Sequence, residues 1–171
     1  MSFTFDNQRP TATVVRSLHP LVIERPRSPV HIHSYGGETP FFEGLGQGRL
    51  MATRCDNPAC TEAGAAGYLF CPPRVHCPDC LERMTWVDIT DGPARTAKVH
   101  THICVLHPGA FNRLPTPSKL ISVEMEGVIT TLMSHMRVGV PVIGMELEPV
   151  FNTSSPTFTI LDLSWRQRRA R

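Results

Sequence analysis

Residues 54–81 read RCDNPACTEAGAAGYLFCPPRVHCPDCL, and the cysteines at 55, 60, 77 and 80 decide the architecture around them. Cys55 and Cys60 enclose four residues, Cys77 and Cys80 enclose two, and sixteen separate the pairs. Zinc takes four soft ligands in a tetrahedron, and a tight turn between two thiolates brings both sulfurs to one ion while backbone N–H groups soften their charge. Asn57-Pro58 and Pro78 supply the turn chemistry. Cysteines that merely fill a core have no reason to pair at this spacing. The stretch therefore predicts a rubredoxin-like zinc ribbon with Cys55, Cys60, Cys77 and Cys80 as ligands. Cys71, just before Pro72-Pro73, is expected to be a small buried residue outside the ligand set. Iron-binding knuckles usually carry glycine after each pair, where this chain has Thr61 and Leu81, so Zn2+ is favoured. Four thiolates close the site to water and substrate, which makes the ion's expected contribution structural.

Outward from the ribbon the chain changes character twice. Residues 1–37 carry four prolines and no sustained period of 2 or 3.6, which reads as an extended arm. Thr39-Pro40 opens a short helix with Phe41, Phe42 and Leu45 on its apolar face, Thr39 as the cap and an end near Gly46–Gly48. With the ribbon it forms a segment 38–90. From 97 to 106 residues alternate, with Val99, Thr101, Ile103 and Val105 on one face and Lys98, His100, His102 and Cys104 on the other. Two more β-rich runs, 119–125 and 128–133, flank a turn at Glu126-Gly127, and further strands are expected over 140–151 and 158–163. About five antiparallel strands in this length suit a partly open barrel of the OB type over 91–163. The expected fold is mainly β: arm, short helix, ribbon, OB-fold barrel, and a basic tail at 164–171.

Composition narrows the function. With 41% hydrophobic and 19% charged residues and a net charge of +2, the 171-residue chain has an ordinary globular balance. No apolar run reaches the roughly 18 residues of a membrane span, and Met1–Asp6 lacks a signal-peptide layout, so the expected setting is the reducing cytoplasm, without membrane contact. Residues 161–171 carry four arginines and one aspartate, leaving the other 160 residues at net −1. The tail is either a solvated end or a clamp on a partner or on phosphate. Nucleic-acid binding, which ribbons and OB barrels both serve, fits poorly: aromatics are 7%, and 97–151 holds neither Trp nor Tyr on which a base could stack. Cys104 beside His102 or His107 is the nearest approach to a nucleophile, and His31/His33 and His100/His102 have second-metal spacing, but lone surface side chains account for all of them.

The order of motifs resembles a known family. Phe41-Phe42-Glu43-Gly44-Leu45, Gly48-Arg49-Leu50, Arg54-Cys55, Pro72-Pro73-Arg74-x-x-Cys77-Pro78-x-Cys80, the strand Val99–Ile103, the Glu126-Gly127 turn and Arg137-Val138-Gly139-x-Pro141-Val142 follow the zinc-ribbon plus OB-fold proteins that accompany thiolases and related acyl-CoA Claisen enzymes. The resemblance covers about 38–151. This chain departs from the pattern in its longer first knuckle and in Cys71, which replaces an apolar residue. The resemblance implies a non-catalytic subunit whose thiolase-fold partner carries the catalytic cysteine, in a hetero-oligomer such as A2B2 acting on an acyl-CoA. Ser34–Glu38 looks most like members from anaerobic toluene degradation, where 2-benzoylsuccinyl-CoA is cleaved to benzoyl-CoA and succinyl-CoA. Another condensing or aldol complex is the alternative within the family, and a stand-alone nucleic-acid module the alternative outside it. For coenzyme A, arginine forks suit phosphates and apolar rings suit adenine. The candidate CoA or partner contacts are Arg74, Lys98, Arg113, Lys119, Phe41, Phe42, Arg166, Arg168 and Arg169.

Overall fold

The computed structural model describes residues 34–60, 67–107 and 114–169, together with the backbone of strands at 13–16 and 22–24. It divides into two units, Met1–Ser34 and Tyr35–Arg171. In the first, β1 (Thr13–Arg16) and β2 (Val22–Glu24) pair antiparallel, so the expected arm holds a small ribbon of its own; the rest of it, with His31 and His33, lies outside the described residues.

The second unit opens with a 3-10 turn at Gly36–Glu38 that runs into α1 (Thr39–Gly46). Thr39 is the first helical residue instead of the cap, its hydroxyl donating back to the Gly36 carbonyl at 2.8 Å. Phe41 and Leu45, four apart on one face, are buried, and Phe42 stacks on Tyr35 with ring centres 3.8 Å apart. Among the described residues no helix is long and apolar enough to cross a membrane.

A three-stranded sheet follows in the order β4-β3-β5, with β3 (Met51–Arg54) central between β4 (Leu69–Phe70) and β5 (Thr85–Asp88), both antiparallel to it. This is the ribbon. Its own buried cluster contains Phe70 and Met84 beside Cys55, Cys60 and Cys77.

The barrel is built from β6 (Lys98–Val105), β7 (Ser118–Glu124), β8 (Leu132–Val138), β9 (Leu147–Phe151) and β10 (Leu163–Gln167), in the sheet order β6-β7-β8-β10-β9. The β8–β10 pair is parallel and the others antiparallel. Closure comes from the turn ahead of β9: Gly144 N donates to Val99 O (2.8 Å), Val99 N to Met145 O (3.0 Å) and Leu147 N to Ala97 O (2.8 Å). Five strands in this order, joined first to fourth, make an OB-like barrel. Alternation works cleanly on β8, where Leu132, Ser134 and Met136 face inward, and the core also contains Val99, Ile121, Val123, Leu147, Leu163 and Trp165.

Four sequence expectations shift. On β6 only Val99 is buried, because His100 is an extra residue between the pairs Val99–Val123 and Thr101–Ser122. This bulge reverses the phase of the alternation, and Ile103 ends 59% exposed. The run at 128–133 enters the barrel only at Leu132, since the residues before it are diverted to the ribbon: Ile129 N donates to Leu69 O, and the Thr130 hydroxyl accepts from Cys71 N at 3.0 Å and donates to Cys71 O at 2.9 Å. The run at 140–151 is strand only from Leu147, its first part being the closing turn around Gly144, at φ +80°. The expected boundary at 163 falls inside the molecule's last element, for β10 begins there and Trp165 is fully buried.

Candidate metal centre and neighbouring clefts

Cys55 immediately follows the central ribbon strand and Cys60 follows the Asn57-Pro58 turn, which Asn57 shapes by accepting from Ala59 N on its side chain (2.9 Å) and from Cys60 N on its backbone (3.0 Å). The second knuckle closes through Leu81 N to Cys77 O (3.0 Å) and Cys77 N to Glu82 O (2.9 Å). Together they bring the four predicted sulfurs within 4.8 Å of one another. Cys55 and Cys80 lie 3.6 Å apart and Cys60 and Cys77 3.9 Å. A tetrahedral ion with metal–sulfur bonds of about 2.3 Å sets its ligands about 3.8 Å apart, so these distances suit an ion held by four thiolates. The electrostatics are uneven. The Glu82 backbone, then the Asn57 side chain, favour the Cys80 thiolate and bring that thiol down to about 7. At Cys55 the Asn57 backbone pulls the same way, but burial and the three neighbouring sulfurs outweigh it and the thiol is pushed up to about 12. A dication among the sulfurs favours thiolate at all four.

Leu81 has φ +62°, the left-handed conformation that glycine adopts without strain. The backbone of a glycine-bearing knuckle is thus present without the glycine, and the missing residue does not separate zinc from iron. Cys71 is fully buried in the main core, its thiol pushed up to about 12 by burial, as its role outside the ligand set requires. Cys104 is exposed.

The candidate contact residues do not gather at one place. Phe41, Phe42 and Arg74 do, around a cleft of about 570 Å³ walled by Pro72 and Pro73. Arg74 is held there by its own N–H to the Thr53 hydroxyl (2.9 Å) and by its guanidinium 6.0 Å over the Phe70 ring. Lys98 and Arg168 share a second cleft with Glu124, Glu126 and Glu146. Arg168 donates to Leu147 O at 2.9 Å and Arg166 pairs with Glu148 at 2.5 Å, so these cations serve β10 and its neighbours in place of a free tail. Arg169 borders a third cleft beside Glu148 and Pro149. Lys119 lines a cavity at the far end of β8. Arg113 lies outside the described residues.

No family model and no curated protein sequence matches this chain. Solved structures do. A protein of unknown function from the DUF35 family of Sulfolobus solfataricus aligns over 79% of this chain and 87% of its own, at 18% identity and a TM-score of 0.56. The structure described as the Ltp2-ChsH2(DUF35) aldolase aligns over 74% of this chain and 91% of the matched one, at 26% identity and a TM-score of 0.54. The architecture of ribbon plus OB-like barrel is therefore shared with DUF35 proteins.

Proposed function

We propose that this chain is a DUF35-type accessory subunit that holds a structural zinc ion and acts within an acyl-CoA complex, its catalytic cysteine supplied by a thiolase-fold partner. The observation that carries the reading is the four-sulfur centre. It is the one metal-ligating cluster among the described residues, and a fully ligated ion has no open position for chemistry. Catalysis then belongs to another chain, and the aldolase neighbour, a DUF35 protein named together with Ltp2, supports a hetero-oligomer. Within this class we favour the small subunit of benzoylsuccinyl-CoA thiolase. The cleft of Phe41, Phe42 and Arg74 offers an apolar wall and a guanidinium, which suits the adenine and phosphates of coenzyme A.

Co-expression with a thiolase-fold partner is expected to give a complex of fixed ratio that cleaves 2-benzoylsuccinyl-CoA with CoA, neither chain doing so alone. Elution of this chain as a lone species beside its partner, or bound to nucleic acid, refutes the reading. Cys77→Ser and Cys80→Ser are each expected to lose the metal and loosen the ribbon. A variant retaining one equivalent of metal and full activity in the complex removes that cysteine from the ligand set.

A further inference from the structure

At the far end of β8 the strand carries one residue more than its partner: Trp165 pairs with Met136 and Arg166 with Val138, so Arg137 is the bulged residue. A bulge breaks the ladder locally and re-aims a side chain. Arg137 lines a cavity of about 490 Å³ between the start of β7, the end of β8 and the connection from β9 to β10. Lys119 and His135 line it as well. Neither Arg137 nor Lys119 has a carboxylate within 4.0 Å among the described residues; the Lys119 ammonium donates to the Gly139 carbonyl.

One carboxylate borders the cavity, and its acceptor capacity is engaged. Asp162 accepts from Thr157 N on both oxygens at 2.9 Å, from the Thr157 hydroxyl at 3.0 Å and from the Asn152 amide at 3.0 Å. The net field is positive. Burial first, then Arg137, lowers the pKa of His135, which agrees with an uncompensated cation beside it. Two cations, Arg137 and Lys119, line the cavity against the single carboxylate of Asp162, and natural chains keep such an excess where a ligand supplies the missing charge. The volume falls within the usual range for small-molecule sites and far exceeds an inorganic ion, while Leu114, Phe151 and Leu161 add an apolar wall.

We infer that this cavity is a binding site for a small organic anion, its carboxylate or phosphate received by Arg137 and Lys119 and its apolar part by the Phe151 and Leu161 side. The site is separate from the Phe41–Arg74 cleft and does not depend on the accessory-subunit reading.

The test uses the full-length, zinc-loaded chain and NMR titration with phenyl phosphate, benzoate, neutral benzamide and inorganic phosphate. Phenyl phosphate or benzoate is expected to saturate, with shift changes centred on His135, Arg137 and Ser164, and whichever binds tighter identifies the head group. Arg137→Gln is expected to weaken it about tenfold, as loss of a charge-assisted hydrogen bond does, with partial recovery in Arg137→Lys. Lys119→Gln gives an independent second variant. Equal binding of benzamide, inorganic phosphate binding as tightly as the organic anions, shift changes centred elsewhere, or unchanged affinity in both folded variants would each overturn the assignment.

Discussion

Replacing Trp165 tests the part of the fold least evident from sequence. The side chain is fully buried in the main core, and its indole N–H has no acceptor among the described residues. Trp165→Ala is expected to cost about 3–5 kcal/mol, the range for truncating a buried aromatic. That is a large part of the roughly 5–15 kcal/mol by which a domain is stable. Trp165→Phe behaves differently. A residual cavity of about 40 Å³ costs about 1 kcal/mol at about 24 cal/mol per Å³, and the lost transfer free energy adds up to about 1 kcal/mol more. Deleting a buried donor that lacks a partner returns roughly 1–3 kcal/mol. The two effects nearly cancel, so the phenylalanine variant is expected within about 1 kcal/mol of the native protein. Urea denaturation at fixed zinc, followed by circular dichroism, measures both. An alanine variant losing under about 0.5 kcal/mol would mean that residues 164–167 are a solvated end after all. A phenylalanine variant as weak as the alanine one would mean that the indole N–H is bonded.

Leu81→Gly relieves a left-handed leucine, worth roughly 1–2 kcal/mol, against a smaller gain in unfolded-chain freedom. Because the side chain is 73% exposed, the variant is expected to hold zinc against a chelator at least as well as the native ribbon, and weaker retention contradicts the strain argument. At Asp162, burial favours the neutral acid, but the Thr157 N–H, the Asn152 amide, the Thr157 hydroxyl and the Phe158 N–H outweigh it and hold the pKa below 3.8. Its stabilisation is therefore full above that value and is lost as pH falls through the lower folded value, because the unfolded chain takes up the proton first. Asp162→Asn is expected to cost about 2 kcal/mol at pH 7 and to flatten the acid limb of the stability profile, and an unchanged acid limb refutes the network's role.

What the sequence reveals follows the range of the forces involved. The four-sulfur cluster is legible because knuckle geometry is local: spacing and turn residues alone bring Cys55, Cys60, Cys77 and Cys80 together. Strands β7 and β8 are legible in part, since Ile121–Val123 and Leu132–Met136 follow the pleat. The bulges at His100 and Arg137 are not, because they exist only against a partner strand. The same holds for β10, whose Trp-Arg-Gln-Arg-Arg run reads as a polar end until Glu148 and the Leu147 carbonyl receive the arginines. The predicted cations fall at several clefts for a related reason. Charge can be counted along a chain, but convergence depends on tertiary packing. His135 and Arg137 carried one usable signal, their i, i+2 spacing on a strand, which places both on one face.

The strand that lies between β8 and β9 is the last of the five in chain order. Strands β6 to β8 can zip as successive hairpins, but β9 has its long antiparallel partner only in β10. During synthesis the barrel therefore waits for residues beyond 163 to clear the ribosome. Until then two strand edges stay open and the site Trp165 will fill stays vacant. The four clustered cysteines and all three ribbon strands emerge by Asp88, well before that moment, and only the ribbon edge at Leu69 and Cys71 waits for Ile129 and Thr130. Gathering of the four cysteines and closure of the barrel are thus separable events in the birth of this protein, the first able to serve as a fixed platform for the second.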